Sequence, residues 1–164
     1  MSALGVLESL NWLVPAHAAA GEIGFLAFLW VTIELVNRRE RSYVRAKWVS
    51  LAGIILLFTS WFLAGTYYLN HYGNVVKPVI KGGSFAWVHN IIMETKEHVF
   101  IFIPILALFA FLLILSFPKW STDNKIPRRS IYAICILIGA LGFGMVGLGY
   151  IISAAVRATL GGGV

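Results

Sequence analysis

The sequence predicts an all-α integral membrane protein: one four-span domain over residues 1–164, an up-down-up-down four-helix bundle with both termini outside and a short N-terminal interfacial helix. Three observations carry this. The chain is 59% hydrophobic and only 12% charged, with a mean hydropathy of +0.83, which is far more apolar than a soluble domain. Four apolar runs, residues 16–37, 47–70, 87–116 and 130–157, each reach the roughly 20 residues that cross a bilayer. Nine of the thirteen Lys and Arg fall in two short loops, Arg38, Arg39, Arg41, Arg45 and Lys47 in one and Lys119, Lys125, Arg128 and Arg129 in the other. That asymmetry is the positive-inside signal and places both loops in the cytoplasm.

The net charge of +6 therefore reflects topology, and a nucleic-acid partner is not expected. The single cysteine, Cys135, lies inside the fourth run, which excludes an intrachain disulfide, an iron–sulfur cluster and covalent attachment of a c-type haem. The opening "MSALGVLESLNWLVPAHAAAGE" has small residues resembling a cleavage site but no basic n-region, so it is not expected to be a removed signal. Leu4, Leu7, Leu10 and Trp12 suit a helix lying in the outer interface and ended by Pro15.

The first span carries His17 and Glu22 in its outer half and Glu34 beside the basic loop, where pairing with an arginine is expected. The second begins at Trp48 and reaches a cluster of Tyr67, Tyr68, His71 and Tyr72 at the outer boundary, where His71 falls on the helix end or in a loop. Lys77 and Lys81 follow in an outer loop, and "KGGSF" reads as a flexible turn.

The third span is too long. Thirty residues would measure about 45 Å against a hydrocarbon core of ~30 Å, so its outer end projects or tilts. That end holds His89, Glu94, Lys96, Glu97 and His98, and Pro104 lower down threatens a kink. On a helical wheel Asn90, Glu94 and His98 share a face with Glu97 beside them, and His89 points the other way. The fourth span places Gly139, Gly142, Gly144, Gly147 and Gly149 within eleven residues. The pairs Ala140/Gly144 and Gly149/Ser153 allow close helix approach, and the alternative is that Gly142 and Gly144 bare a surface for a flat ring.

Depth suggests how the histidines pair. Counting from the basic ends, His17 lies about 30 Å and His98 about 27 Å deep, while His71 and His89 share a layer at about 36 and 40 Å. Two imidazoles level on different spans can ligate one haem iron between them. The expectation is thus a b-type haem held by His17 and His98, with His71 and His89 as a second metal-ligating pair, in an electron-transfer protein. Counting from the outer ends instead would level His17 with His71 and His89. The layout is similar to small membrane-bound b-type cytochromes in architecture alone. A stand-alone enzyme is less expected than a small subunit of a respiratory or photosynthetic complex in a bacterial or archaeal cytoplasmic membrane, with lipids, other membrane subunits and a quinone or periplasmic electron carrier as partners.

Two rival classes remain at this stage. One is an accessory subunit without a cofactor, docking through the glycine-rich helix. The other is a proton or metal permease using Glu22, Glu94, Glu97, His98 and Lys96, or a chain holding a single transition metal ion. A di-iron site is excluded because Glu94 is followed three places on by Glu97, not by a histidine, and the required motif is not repeated. No serine nucleophile arrangement or phosphate-binding glycine loop is recognisable.

Overall fold

Helical hydrogen bonding does not stop where hydropathy falls, because each residue bonds within its own segment in lipid, headgroups and water alike. A computed structural model describes residues 12–37, 39–117 and 125–161, and in it the first, second and fourth rods outrun their apolar stretches, while the third keeps to residues 88–116. The elements are α1 (Leu13–Asn37), α2 (Glu40–Tyr67), α3 (Lys77–Gly82), α4 (Glu94–Ser116) and α5 (Lys125–Gly161). A π-helical stretch, Tyr68–Val76, joins α2 to α3, and a second, Val88–Met93, opens α4. Four of the resulting rods are long and apolar enough to cross a membrane.

Several boundaries differ from those expected. Pro15 sits in the first turn of α1, where a proline is tolerated because N–H groups there lack intrahelical partners. The interfacial helix expected before it lies outside the described residues apart from Trp12. Arg41, Arg45 and Lys47 are helical, since the extended backbone of Arg39 (φ −99°, ψ 151°) already starts α2 at Glu40. Lys77 and Lys81 are helical too. The rod from Glu40 to Gly82 runs 43 residues, about 64 Å at 1.5 Å per residue, so its far end stands clear of a ~30 Å hydrocarbon layer. The expected turn is confined to residues 83–85, where Gly83 is pressed against Thr159, so that a Cβ there would lie 3.1 Å from Thr159 Cγ2. Pro104 lies inside α4, which continues through it to Ser116.

Close approach of backbones sets the packing. Gly21 meets Ser60, Gly24 meets Leu57 and Gly53 meets Phe28, which locks α1 onto α2 running the opposite way. Phe25 fills the notch at Gly142 and Leu29 the notch at Gly139, which seats α5 on the other flank of α1. α4 packs on α2 and α5, completing a ring of four rods. Inside lies an apolar column that includes Phe28, Val31, Leu57, Ile103, Ala107, Ala110, Ile131, Cys135 and Ile138. A separate cluster of Tyr72, Val76, Ile80 and Val156, with Tyr67, Tyr68 and Met93 against it, closes the far end. Large apolar side chains such as Phe62, Phe102 and Phe143 stand on the outside, as a lipid solvent permits.

At the basic end, Glu34 on α1 is clasped by Arg45 on α2. Arg45 Nε donates to Oε1 at 2.7 Å and Nη2 to Oε2 at 2.8 Å, and Trp30 Nε1 donates to Oε1 at 3.1 Å. This is the arginine partner expected for Glu34, and the two-pronged geometry favours Arg over Lys.

Candidate functional site

The polar groups of the far half separate into two layers, each centred on an imidazole. In the first, α1 turns His17 toward α2. His17 Nδ1 lies 3.0 Å from the Ser60 carbonyl oxygen and 2.9 Å from Ser60 Oγ. Ser60 Oγ donates its one hydrogen to the His17 carbonyl at 2.9 Å. A carbonyl oxygen can only accept, and the hydroxyl proton is already committed. Nδ1 must therefore carry the ring hydrogen, leaving a lone pair on Nε2. The Phe100 ring meets the His17 ring edge to face, with centroids 5.7 Å apart. Lys96 reaches across to α5 in the same region, where a Cβ on Gly149 would lie 3.2 Å from its Nζ.

His98 is two residues from Phe100, about 3 Å along the axis, so it stands level with His17 as the count from the basic ends expects. It does not face His17 across the interior. Two residues turn an α-helix by about 200°, so with Phe100 buried toward His17, His98 lies exposed on the opposite side of α4. Asn90 and Glu94 are exposed on that same outer stripe. His98 Nδ1 donates to the Glu94 carbonyl at 2.6 Å, which places a hydrogen on Nδ1 and leaves Nε2 outside that bond on an exposed side chain.

The second layer lies further from the basic end. The π-helical stretches carry Tyr72 and His89 into contact, with Tyr72 Oη and His89 Nδ1 2.9 Å apart and both residues almost wholly buried. Tyr68 stacks on Tyr72 at 5.3 Å, and Tyr67 stacks on His71 at 6.1 Å with their planes 3° apart. His71 and His89 thus share a layer through Tyr72, the neighbour of His71 in sequence, and His17 does not join them because Ser60 is eleven residues back along the same rod. His71 Nδ1, His89 Nε2 and Glu97 Oε1 are buried with no hydrogen-bond partner among the described residues. Such orphaned groups cost free energy unless a water or ligand meets them. π-Helical turns recur where a side chain has to be re-aimed at a functional position.

The remaining candidates scatter. Glu22 is exposed on the outer side of α1 and Glu94 on the outer side of α4. Gly142 is filled by Phe25, so the ring seat expected there is taken by the chain itself, whereas Gly144 has open space where a Cβ would be. Among the described residues no group of three or more His, Cys, Asp or Glu is gathered closely enough to hold a metal ion. Ser60, Phe100, Tyr72 and Gly149 were not singled out as site residues from sequence. Tyr72 had a visible signal in the tyrosine cluster around His71, and the others had none that distinguishes them from packing residues. Comparison with protein-family models, curated proteins and solved structures finds no match, so the geometry alone bears on function.

Proposed function

We propose that this chain is an electron-transfer subunit of a larger membrane assembly, with a b-type haem ligated through Nε2 of His98 on the outer stripe of α4 and a second ligand supplied by an adjoining subunit. The observation that carries the proposal is the 2.6 Å contact between Nδ1 of the exposed His98 and the Glu94 carbonyl, which calls for the hydrogen on Nδ1 and so makes Nε2 the nitrogen left to bind a metal. Histidines that bind iron are held in this way, the second ring nitrogen hydrogen-bonded to a carbonyl that sets ring orientation and raises basicity. His17 has the same tautomer, but its space is shared with Phe100 and Ser60, which suits a positioning role better than a second axial ligand.

Permeation is less well supported. Between His17 and Glu34 the buried residues of α1 are Ala20, Gly24, Phe25, Phe28 and Val31, which offer a proton or metal ion no polar file. Electrons need none. The basic end faces the cytoplasm in this reading, which puts both termini and the histidine layers of the up-down-up-down bundle on the outer side of a bacterial or archaeal cytoplasmic membrane, within reach of a quinone or periplasmic carrier. His71 and His89 are the candidates for a second cofactor. The exposed Asn90, Glu94 and His98 stripe also suits an accessory role in which those groups bond a partner helix directly.

The test is a reduced-minus-oxidised spectrum of the assembly purified from its native membrane. The proposal expects a b-type band that disappears in His98→Ala and survives in His17→Ala. A colourless wild-type assembly with stoichiometric partner chains would replace it by the accessory role.

A further inference from the structure

The basic end holds a groove of about 340 Å³ between the last turn of α1 and the first turns of α5, lined by Leu35, Val36, Arg128, Arg129 and Tyr132. Its chemistry is split. Arg128 and Tyr132 are four residues apart and share a face of α5, and Arg129 adds a second guanidinium beside them. Away from this cationic rim, toward the middle of the span, exposed apolar side chains continue along both rods: Ile33 and Val36 on α1, Tyr132 and Ile136 on α5. Nothing nearby neutralises the rim among the described residues. Glu34 is committed to Arg45 and Trp30, Glu40 is exposed at the start of α2, and the one ion pair in the described residues is Arg45 with Glu34.

We infer that this groove binds an anionic phospholipid of the membrane leaflet at the basic end, with its phosphodiester against Arg128 and Arg129 and its acyl chains along Val36, Ile33, Tyr132 and Ile136. A planar guanidinium donates two parallel hydrogen bonds to phosphate oxygens, which an ammonium does not. The apolar walls decide between a lipid and a free phosphate ion, because an ion would leave them uncovered. The groove lies at the basic end of α1, and with that end at the membrane surface both halves of a lipid would find their own environment.

The inference is independent of the haem proposal. It is tested by titrating the full chain in neutral detergent with phosphatidylglycerol and with phosphatidylcholine of the same acyl chains, and reading bound lipid by native mass spectrometry. Phosphatidylglycerol is expected to bind more tightly by on the order of tenfold. That preference should vanish in Arg128→Gln/Arg129→Gln and persist in Arg41→Gln, an exposed arginine outside the groove lining. Val36→Trp, which fills the groove without removing charge, should weaken both lipids and provides the answer if the double variant fails to fold. Equal binding of the two lipids in wild type, or a preference untouched by both groove variants, overturns the inference. Displacement of phosphatidylglycerol by an equal concentration of inorganic phosphate would assign the site to the free ion instead.

Discussion

Replacing Gly142 by alanine adds one methyl group at the tightest contact between α1 and α5. An ideal Cβ there would lie 2.3 Å from Phe25 Cγ, 2.5 Å from Cδ1 and 2.8 Å from Cβ. Carbon atoms rest at about 3.5–4.0 Å, so the overlap exceeds an ångström. Turning the Phe25 ring relieves only part of it, because Phe25 Cβ is tied to the backbone and does not move with the ring. The helices must separate, and overpacking of this kind costs about 1–3 kcal/mol. Alanine recovers about 0.5–1 kcal/mol through lower backbone entropy in a helix, leaving a net destabilisation of up to about 2.5 kcal/mol. Gly144→Ala is the internal control. No heavy atom lies within 4 Å of its Cβ position, so it should be neutral or stabilising by up to about 1 kcal/mol. Reversible unfolding by SDS in mixed micelles, followed by tryptophan fluorescence, measures both. If Gly142→Ala is as stable as Gly144→Ala, Phe25 does not occupy the notch and the seating of α1 on α5 described above is wrong.

Three further outcomes are expected. Glu34→Gln exchanges one carboxylate oxygen for an amide that cannot accept from Arg45, and since Arg45 is about half exposed, at 48%, the loss should be about 1–2 kcal/mol in the same titration, toward the lower part of the range for charged hydrogen bonds. No change in the unfolding midpoint would mean the clasp is not formed. Tyr72→Phe deprives His89 Nδ1 of its partner in a site already holding an orphaned Nε2, and should destabilise by about 1–3 kcal/mol, against little effect from Tyr68→Phe, whose hydroxyl has no such partner among the described residues. Equal effects of the two would argue against the Tyr72 and His89 bond. Cys135, wholly buried in the apolar column, should resist a maleimide reagent in the folded state and react after SDS unfolding. Labelling of the native protein at the unfolded rate would show that the fourth rod is rotated from the position described.

Depth was legible in the chain, and direction was not. Counting 1.5 Å per residue from the basic ends puts His17 level with His98 and His71 level with His89. The contacts of His17 with Phe100 and of Tyr72 with His89 agree with that count and not with the count from the outer ends. The wheel also separates His89 from Asn90, Glu94 and His98 correctly. It could not say which of the two faces looks inward. Below Phe100 the third rod is apolar all round, so its sequence holds no contrast between a lipid face and a core face. Pairing His98 with His17 around one haem iron requires its face to look inward, whereas the structure leaves Asn90, Glu94 and His98 exposed on the outer side of the rod.

The number of spans, their order, the charge at one end and the arginine partner of Glu34 follow from the amino-acid sequence, because each rests on hydropathy, length or local charge. Helix azimuth, the filling of Gly142 by Phe25, the bond between Ser60 and His17, and the continuation of the second rod through a π-helical stretch to Gly82 belong to the tertiary structure. The physical reason is that lipid and protein core are equally apolar solvents. Burial alone therefore does not orient a membrane helix, and steric fit at small residues together with a few hydrogen bonds decides which way each rod turns.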